Sequence, residues 1–138
     1  MEPHDLTPAL RRILASARSV GSAMGPGADL EQYEAALDRS MRAVQLQFAR
    51  QYPIGVPFYG PRDRGFYADF IVEGRILLEL MHMPALDTEA TDLALNYLCE
   101  SGADICLLIN FGRVPIEIRR ILPSGNWTDE RVTRRPGA

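Results

Sequence analysis

The sequence predicts an α/β domain in which a mixed β-sheet is flanked by helices, with the elements in the order ααβββαββ. The first third of the chain holds two stretches whose apolar residues recur every three or four positions, as they do along one face of a helix. Short apolar segments separated by turn residues follow, and a continuous apolar run near residue 107 is typical of a buried central strand. With 138 residues, 46% of them hydrophobic, the chain is long enough for one domain with its own core.

Two helices open the predicted domain. Thr7 and Pro8 are a favoured cap and first residue for the first helix, which the turn Gly25-Pro26-Gly27 ends. Apolar residues from Leu30 to Phe48 keep the helical spacing, with arginine and glutamate between them. They predict a second helix, which we expect Tyr52-Pro53 to close because a residue before proline disfavours the helical conformation.

Three antiparallel strands are predicted next. The first covers Val56-Pro57-Phe58-Tyr59, the second runs from Phe66 to Val72 and the third from Ile76 to Met81. Each is a short apolar segment, and turn residues such as Gly60-Pro61 and Glu73-Gly74 separate the three. The last two follow each other across Glu73-Gly74, so they should form a hairpin.

One helix and two strands complete the prediction. Asp87 or Thr88 caps the third helix, and Gly102 is a natural stop for it. The run from Ile105 to Phe111 is a buried central strand, and Pro115 to Leu122 forms a last strand at the edge of the sheet.

The domain is expected to cover residues 1–122, and the polar segment 123–138 is expected to be a loosely ordered tail. Residues 113–138 carry six arginines against three acids. Arg113, Arg119 and Arg120 are therefore candidates for binding nucleic acid or a protein partner, the alternative being a simply solvated end.

The composition excludes several function classes. The chain has 15 basic and 18 acidic residues, so no overall basic field attracts nucleic acid. All the basic residues are arginine, and the absence of lysine excludes Schiff-base chemistry, a phosphate-binding loop with its lysine, and a lysine general base. Neither a secretory signal nor an apolar run of the ~20 residues needed to cross a bilayer is visible. We therefore expect a cytoplasmic protein with no membrane partner. Cys99 and Cys106 form no CxxC pair and lie in apolar segments, so we expect both to be buried free thiols.

Three sequence blocks resemble a known family. They are Gly27-x-x-Leu30-x-x-Tyr33, Ala68-Asp69-x-x-Val72-Glu73 and Leu107-Leu108-Ile109-Asn110-Phe111-Gly112. The chain is similar in these blocks, and from Ile13 to Leu122 as a whole, to the bacterial GxxExxY proteins. Those are small members of the PD-(D/E)XK nuclease-like superfamily, which has a restriction-endonuclease-like core.

The resemblance implies a metal-dependent phosphodiesterase site. In that superfamily an aspartate and a glutamate on two hairpin strands hold a divalent cation, and a lysine two residues after the glutamate assists the reaction. Asp69 and Glu79 match the two acids, with the backbone carbonyl of Leu80 completing the ligand set. Carboxylates suit Mg²⁺ or Mn²⁺, which acidify water and neutralise charge on the phosphoryl oxygens. The position of the lysine is occupied by Met81, and the helix acid of the motif falls on Leu30.

Two further family positions are also apolar or glycine. The glutamine of the later helix falls on Leu93, and the histidine before the Gly-Pro-Gly turn falls on Gly21. Leu30 shares a helix face with Tyr33, and Leu93 shares one with Tyr97. We therefore expect both leucines to point inward and to fill the site with apolar volume.

The hairpin turn decides whether the two acids meet. A two-residue turn would pair Asp69 with Leu78 and turn it away from Glu79. A three-residue turn or a bulge would place Asp69 opposite Glu79 on one face, and the spacing, which is that of the family, favours this arrangement. Acids in apolar strands are costly without partners, so the pair is either a remnant metal site or is satisfied by backbone donors or by arginines such as Arg64 and Arg75.

Three functions remain open. The favoured one is a catalytically degenerate nuclease-like protein that is retained for binding or for homo-oligomeric assembly. We expect it to need no cofactor. Copies of the chain would associate through Met81-His82-Met83 and through the strand Ile116–Ile121. The second is a weak Mg²⁺- or Mn²⁺-dependent nuclease that uses Asp69 and Glu79. The third is a non-catalytic nucleic-acid-binding module. The missing lysine and helix acid favour a protein that is not an enzyme.

Overall fold

The computed structural model describes residues 5–54 and 66–130, and it confirms a mixed sheet flanked by helices. The helices are α1 (Thr7–Met24), α2 (Leu30–Ala43) and α3 (Thr88–Ser101). The strands are β1 (Phe48–Ile54), β2 (Phe66–Val72), β3 (Ile76–Met81), β4 (Ile105–Asn110), β5 (Glu117–Ile121) and β6 (Trp127–Glu130).

The six strands lie in the sheet in chain order, from β1 to β6. Among the strands of residues 48–54 and 66–130, only β3 and β4 pair in parallel, and α3 is the crossover between them. One core cluster packs α1 and α2 on one face of the sheet, and a second packs α3 on the other face. All of β4 is buried because both of its faces are covered, which is why its sequence is apolar without alternation.

Local chemistry sets the ends of α1 and α2. Leu6 is the residue before α1 and Thr7 is its first residue, so the predicted cap lies one position too late. Gly25, at φ 68°, ends the helix in a conformation that suits glycine. A capping box starts α2, because the Asp29 carboxylate accepts from the Gln32 N–H and the Gln32 side chain accepts from the Asp29 N–H.

The second helix is shorter than predicted. It ends at Ala43, and Phe48 begins β1 instead of continuing the helix. The chain turns at Gln45, whose φ is 63°, and the Leu46 N–H donates back to the Met41 carbonyl. Phe48 still packs on the α2 side of the sheet, with its ring 5.5 Å from that of Phe70, which explains why it fits the helical spacing. The strand predicted at residues 56–59 lies outside the described residues.

The hairpin between β2 and β3 has the predicted three-residue turn. Phe70 pairs with Leu78 and Val72 with Ile76, which leaves residues 73–75 in the turn. Continued by one residue, this register brings Asp69 beside Glu79, and the Asp69 carboxylate accepts from the Leu80 N–H. Glu73 and Gly74 both have positive φ, 55° and 68°. The two acids consequently share the face of the sheet that α3 covers.

The C-terminal part of the domain extends further than predicted. The segment expected as an edge strand becomes β5, which lies between β4 and β6, and the expected loose tail contains β6. A tight turn joins β5 to β6: the Gly125 N–H donates to the Leu122 carbonyl, and the Leu122 N–H donates to the Asn126 carbonyl. The ordered domain therefore reaches Glu130, and residues 131–138 lie outside the described residues.

The Leu-Ile-Asn-Phe-Gly block holds the loop after β3, around Met83, by hydrogen bonds. The Asn110 side chain, fully buried, accepts from the N–H groups of Met83 and Gly112 and donates to the Met83 carbonyl and to Glu117. Glu117 in turn accepts from the Leu86 N–H at 2.9 Å. A Cβ at position 112 would lie 2.4 Å from the Met83 carbonyl oxygen, so only glycine fits there.

The other two blocks meet beside this loop. The Phe111 ring stacks on Tyr33, with ring centres 4.5 Å apart. The Tyr33 hydroxyl donates to the Gly25 carbonyl and accepts from the Ala28 N–H, which joins the α1–α2 turn to the end of β4. No helix of residues 5–54 or 66–130 is long and apolar enough to cross a membrane.

Candidate functional site

The structure brings Asp69 and Glu79 together at the predicted place on neighbouring strands. Asp69 Oδ2 accepts from the Leu80 N–H at 2.7 Å, so backbone geometry holds this carboxylate against β3. Glu79 is only 7% exposed, and its Oε2 has no hydrogen-bond partner among the described residues. A buried carboxylate oxygen without a donor is unfavourable unless the group takes up a proton or a cation.

Both carboxyls hold protons more tightly than usual. Burial raises the pKa of Asp69 to about 6, although the Leu80 N–H opposes this rise. Burial, and then the negative charge of Asp69, raise the pKa of Glu79 to about 9. Near pH 7 the pair consequently carries close to one negative charge instead of two.

Tyr97 and Cys106 lie near the acid pair. Burial raises the pKa of both groups, and the charges of Glu79 and Asp69 raise it further. Tyr97 belongs to α3 and Cys106 to β4, so groups of the helix over this face and of the neighbouring strand lie within reach of the charge of the pair. The prediction of two buried thiols is right for Cys106 and wrong for Cys99, which is exposed on α3; both are free.

The position that the family gives to lysine is apolar here. Met81 is two residues after Glu79 on β3, so it lies on the same face of the sheet. Its half-buried side chain packs in the apolar cluster under α3. Arg75, considered as a partner of the acids, pairs with Asp104 instead, and Arg64 lies outside the described residues.

Glu34 is a third acid near the pair, and the sequence analysis missed it. Its charge contributes to the raised pKa of Asp69. Arg50, 3.3 Å away, and the Gln51 side-chain amide, 2.8 Å away, hold its carboxylate between α2 and β1. Glu34 follows Leu30 by four residues, one helical turn, and that spacing is the signal that could have found it.

The two leucines at former polar positions do not fill the site. Leu30 is 40% exposed and Leu93 is 42% exposed, so the expectation that both point inward is wrong. Leu30 is the first residue of α2, where the helix enters from the surface. Leu93 lies on α3 outside the buried stripe of Ala90, Ala94 and Leu98.

The three arginines proposed as a binding surface are paired within the chain. Arg119 is buried, and its guanidinium contacts Asp129 at 2.7 Å and donates to Thr91 at 2.8 Å. Arg120 pairs with Glu130 at 2.7 Å, and Arg113 with Glu117 at 3.5 Å. Each of these arginines therefore has an acidic partner within the chain, and their role in binding nucleic acid or a protein partner stays a prediction.

The two segments expected to drive assembly also make contacts within the chain. His82 Nε2 lies 2.6 Å from the Pro26 carbonyl, and the backbone of Met83 is bound to Asn110. The strand Ile116–Ile121 is covered by β6 and does not present a free edge. The exposed edges of the described sheet are β1 and β6.

The donor chemistry of the pair fits a hard divalent cation. Two carboxylates face each other, and one of their buried oxygens has no donor, which is the condition that a cation would relieve. A cluster of three or more acidic, histidine or cysteine ligands does not occur in the described part of the chain.

Comparison with known proteins gives one match. A family model for the PD-(D/E)XK nuclease superfamily matches residues 8–121, which spans α1 to β5 and includes the acid pair. Neither a search of curated proteins nor a search of solved structures found a significant match.

Proposed function

The chain belongs to the PD-(D/E)XK nuclease superfamily, and on this basis we propose that it is a catalytically degenerate member retained for binding or for homo-oligomeric assembly. The observation that carries the proposal is the Met81 thioether beside the acid pair, where the superfamily has an amine. Within the superfamily we assign it to the GxxExxY proteins, from the blocks around Tyr33 and Asn110, and we place it in the cytoplasm.

The residues around the acid pair are poorly suited to moving a proton. A thioether neither donates nor accepts a proton at neutral pH, and the chain has no lysine to replace it. Arg50, whose charge reaches Asp69, is held by Glu34 and by Asp38 at 3.2 Å. A guanidinium also stays protonated, so it can only neutralise charge.

A weak Mg²⁺- or Mn²⁺-dependent nuclease is the second candidate, and the unpartnered Oε2 of Glu79 favours it. Asp69, Glu79 and the backbone carbonyl of Leu80 would hold the cation. When bound, it would acidify water and neutralise charge on a phosphate. In this case Glu79 releases its proton, and Asp69 remains fixed by the Leu80 N–H.

A cleavage assay separates the two candidates. Single- and double-stranded DNA and RNA are incubated with Mg²⁺ or Mn²⁺ and with the parent, Asp69→Asn or Met81→Lys. We expect the parent to cleave no faster than Asp69→Asn. Cleavage by the parent that Asp69→Asn abolishes would overturn the degenerate function and support the nuclease. Cleavage gained only in Met81→Lys would show that the missing amine is the defect.

A further inference from the structure

A rim of exposed apolar side chains lies beside the acid pair, where α3 meets the start of β2. Phe66, at the start of β2, is 41% exposed, and its ring lies 6.1 Å from that of Tyr97 in an edge-to-face arrangement. Leu93 precedes Tyr97 by one turn of α3 and is 42% exposed. Tyr97 is close enough to the acids for their charge to raise its pKa. The rim, formed by Phe66, Leu93 and Tyr97, is therefore the exposed surface that lies beside the buried acid pair.

The acid pair lacks a donor at a buried atom. Glu79 is only 7% exposed, and its Oε2 has no hydrogen-bond partner among the described residues. Arg50, whose charge reaches Asp69, is engaged with Glu34, and Arg75 of the hairpin turn is engaged with Asp104. A donor from outside the described residues would satisfy this oxygen.

We propose that the acid pair and its apolar rim bind an arginine side chain of a partner protein. The proposal rests on the proposed function, for which it names the kind of partner. Asp69 and Glu79 would accept from the guanidinium, and the rings of Tyr97 and Phe66 would cover its flat face. An apolar residue beside the arginine in the partner would pack on Leu93.

Charge and hydration favour this occupant. A negative pair repels nucleic-acid phosphates, and Arg113, Arg119 and Arg120 are already engaged in ion pairs within the chain. A guanidinium is planar, weakly hydrated and able to donate to a carboxylate while it stacks on an aromatic ring. A lysine ammonium lacks the planar face and is more strongly hydrated, so the rim favours arginine over lysine.

The test uses N-acetyl-arginine amide as the probe and follows the full chain by NMR at pH 7.5. N-acetyl-citrulline amide, a neutral analogue of similar shape, is the matched ligand. We expect the arginine probe to shift resonances of Phe66, Leu93 and Tyr97, with a Kd in the millimolar range that is at least tenfold lower than that of citrulline. Glu79→Gln should weaken arginine binding at least tenfold, whereas Glu100→Gln, at an exposed site on the same helix, should leave it unchanged.

Three results would overturn the proposal. Equal binding of arginine and citrulline would show that charge is not recognised. Shifts with Mg²⁺ alone, and none with arginine, would show a metal site. Arginine binding only after Arg62 and Arg64, which precede Phe66 in the sequence, are replaced by alanine would show that the chain covers its own acids. If no arginine binds and no nucleic acid is cleaved, the inference fails but the proposed function does not. Cleavage by the parent contradicts the proposed function whatever the probe shows.

Discussion

Replacing Glu79 with glutamine should stabilise the protein at neutral pH. The glutamate is buried beside Asp69, and these surroundings raise its pKa from 4.5 to about 9. The folded chain therefore keeps a proton that the unfolded chain has released. Glutamine has the same shape as a protonated glutamate and does not titrate, so Glu79→Gln removes the cost of holding that proton.

The pKa shift gives the sign and size of the effect. Below pH 4.5 both states are protonated and Glu79 adds no pH dependence. From pH 4.5 to about 9 the folded state holds more protons, so the free energy of unfolding falls by about 1.4 kcal/mol per pH unit. At pH 7 the loss amounts to about 3 kcal/mol. Asp69 adds a fall in the same direction between pH 3.8 and about 6, in parent and variant alike.

Urea unfolding at pH 4.5, 6, 7 and 8, with a chelator present, measures this difference. We expect the parent and Glu79→Gln to have similar midpoints at pH 4.5. At pH 7 the variant should have a midpoint higher by about 1–3 M, given the usual dependence of stability on urea for a small domain. The slopes of the two transitions should remain equal, because the surface exposed on unfolding is unchanged.

Glu100→Gln is the control, because Glu100 is an exposed glutamate on α3. It should follow the parent at every pH. If Glu79→Gln unfolds in parallel with the parent from pH 4.5 to 8, or is the less stable of the two at pH 7, Glu79 is ionised in the folded protein. The argument from burial and from the unpartnered oxygen would then be refuted.

Three further variants test the framework. Gly112→Ala should lower the free energy of unfolding by about 1–3 kcal/mol, measured in urea, because its Cβ would press on the backbone of Met83. Asp29→Ala should cost about 1 kcal/mol and reduce the thermal midpoint, because it removes the capping box of α2. Arg119→Ala should lower the free energy of unfolding, measured in urea, because it leaves Thr91 and Asp129 without their guanidinium partner. Because Arg119 is engaged in these contacts, any weak binding of single-stranded DNA should keep the same salt dependence in this variant.

Matched substitutions at open positions control for the chemistry of each change. Gly27→Ala should be near neutral because nothing lies within 4 Å of the added Cβ. Asp92→Ala and Arg12→Ala remove exposed charges and should change stability little. Gly27→Ala, Asp92→Ala and Arg12→Ala are the controls for Gly112→Ala, Asp29→Ala and Arg119→Ala, in that order. If a control loses as much free energy of unfolding as its test variant, the structural reason given for that test variant is wrong. A reduced salt slope in Arg119→Ala would place that arginine on a nucleic-acid surface after all.

Local sequence pattern determined most of the fold. Hydrophobic periodicity located α1, α3 and the strands β2 to β5, and the length of the turn at residues 73–75 brought Asp69 opposite Glu79. The absence of the lysine was also readable, because it depends only on residue identity. The β1 strand was missed because Phe48 fits both the helical spacing and a strand packed on the same core.

The environment of each polar group was decided by the tertiary structure. Arg119 is basic in the sequence, but it is neutralised because the turn at Gly125 brings Asp129 beside it. Glu34 approaches Asp69 only because α2 packs over the sheet next to β1. Helical spacing groups Leu30 with the buried Tyr33 and Leu37, but Leu30 is exposed at the first residue of α2, which the spacing alone does not reveal. Periodicity and turn chemistry act between near neighbours, whereas burial and ion pairing depend on segments far apart in the chain, so only the folded structure decides them.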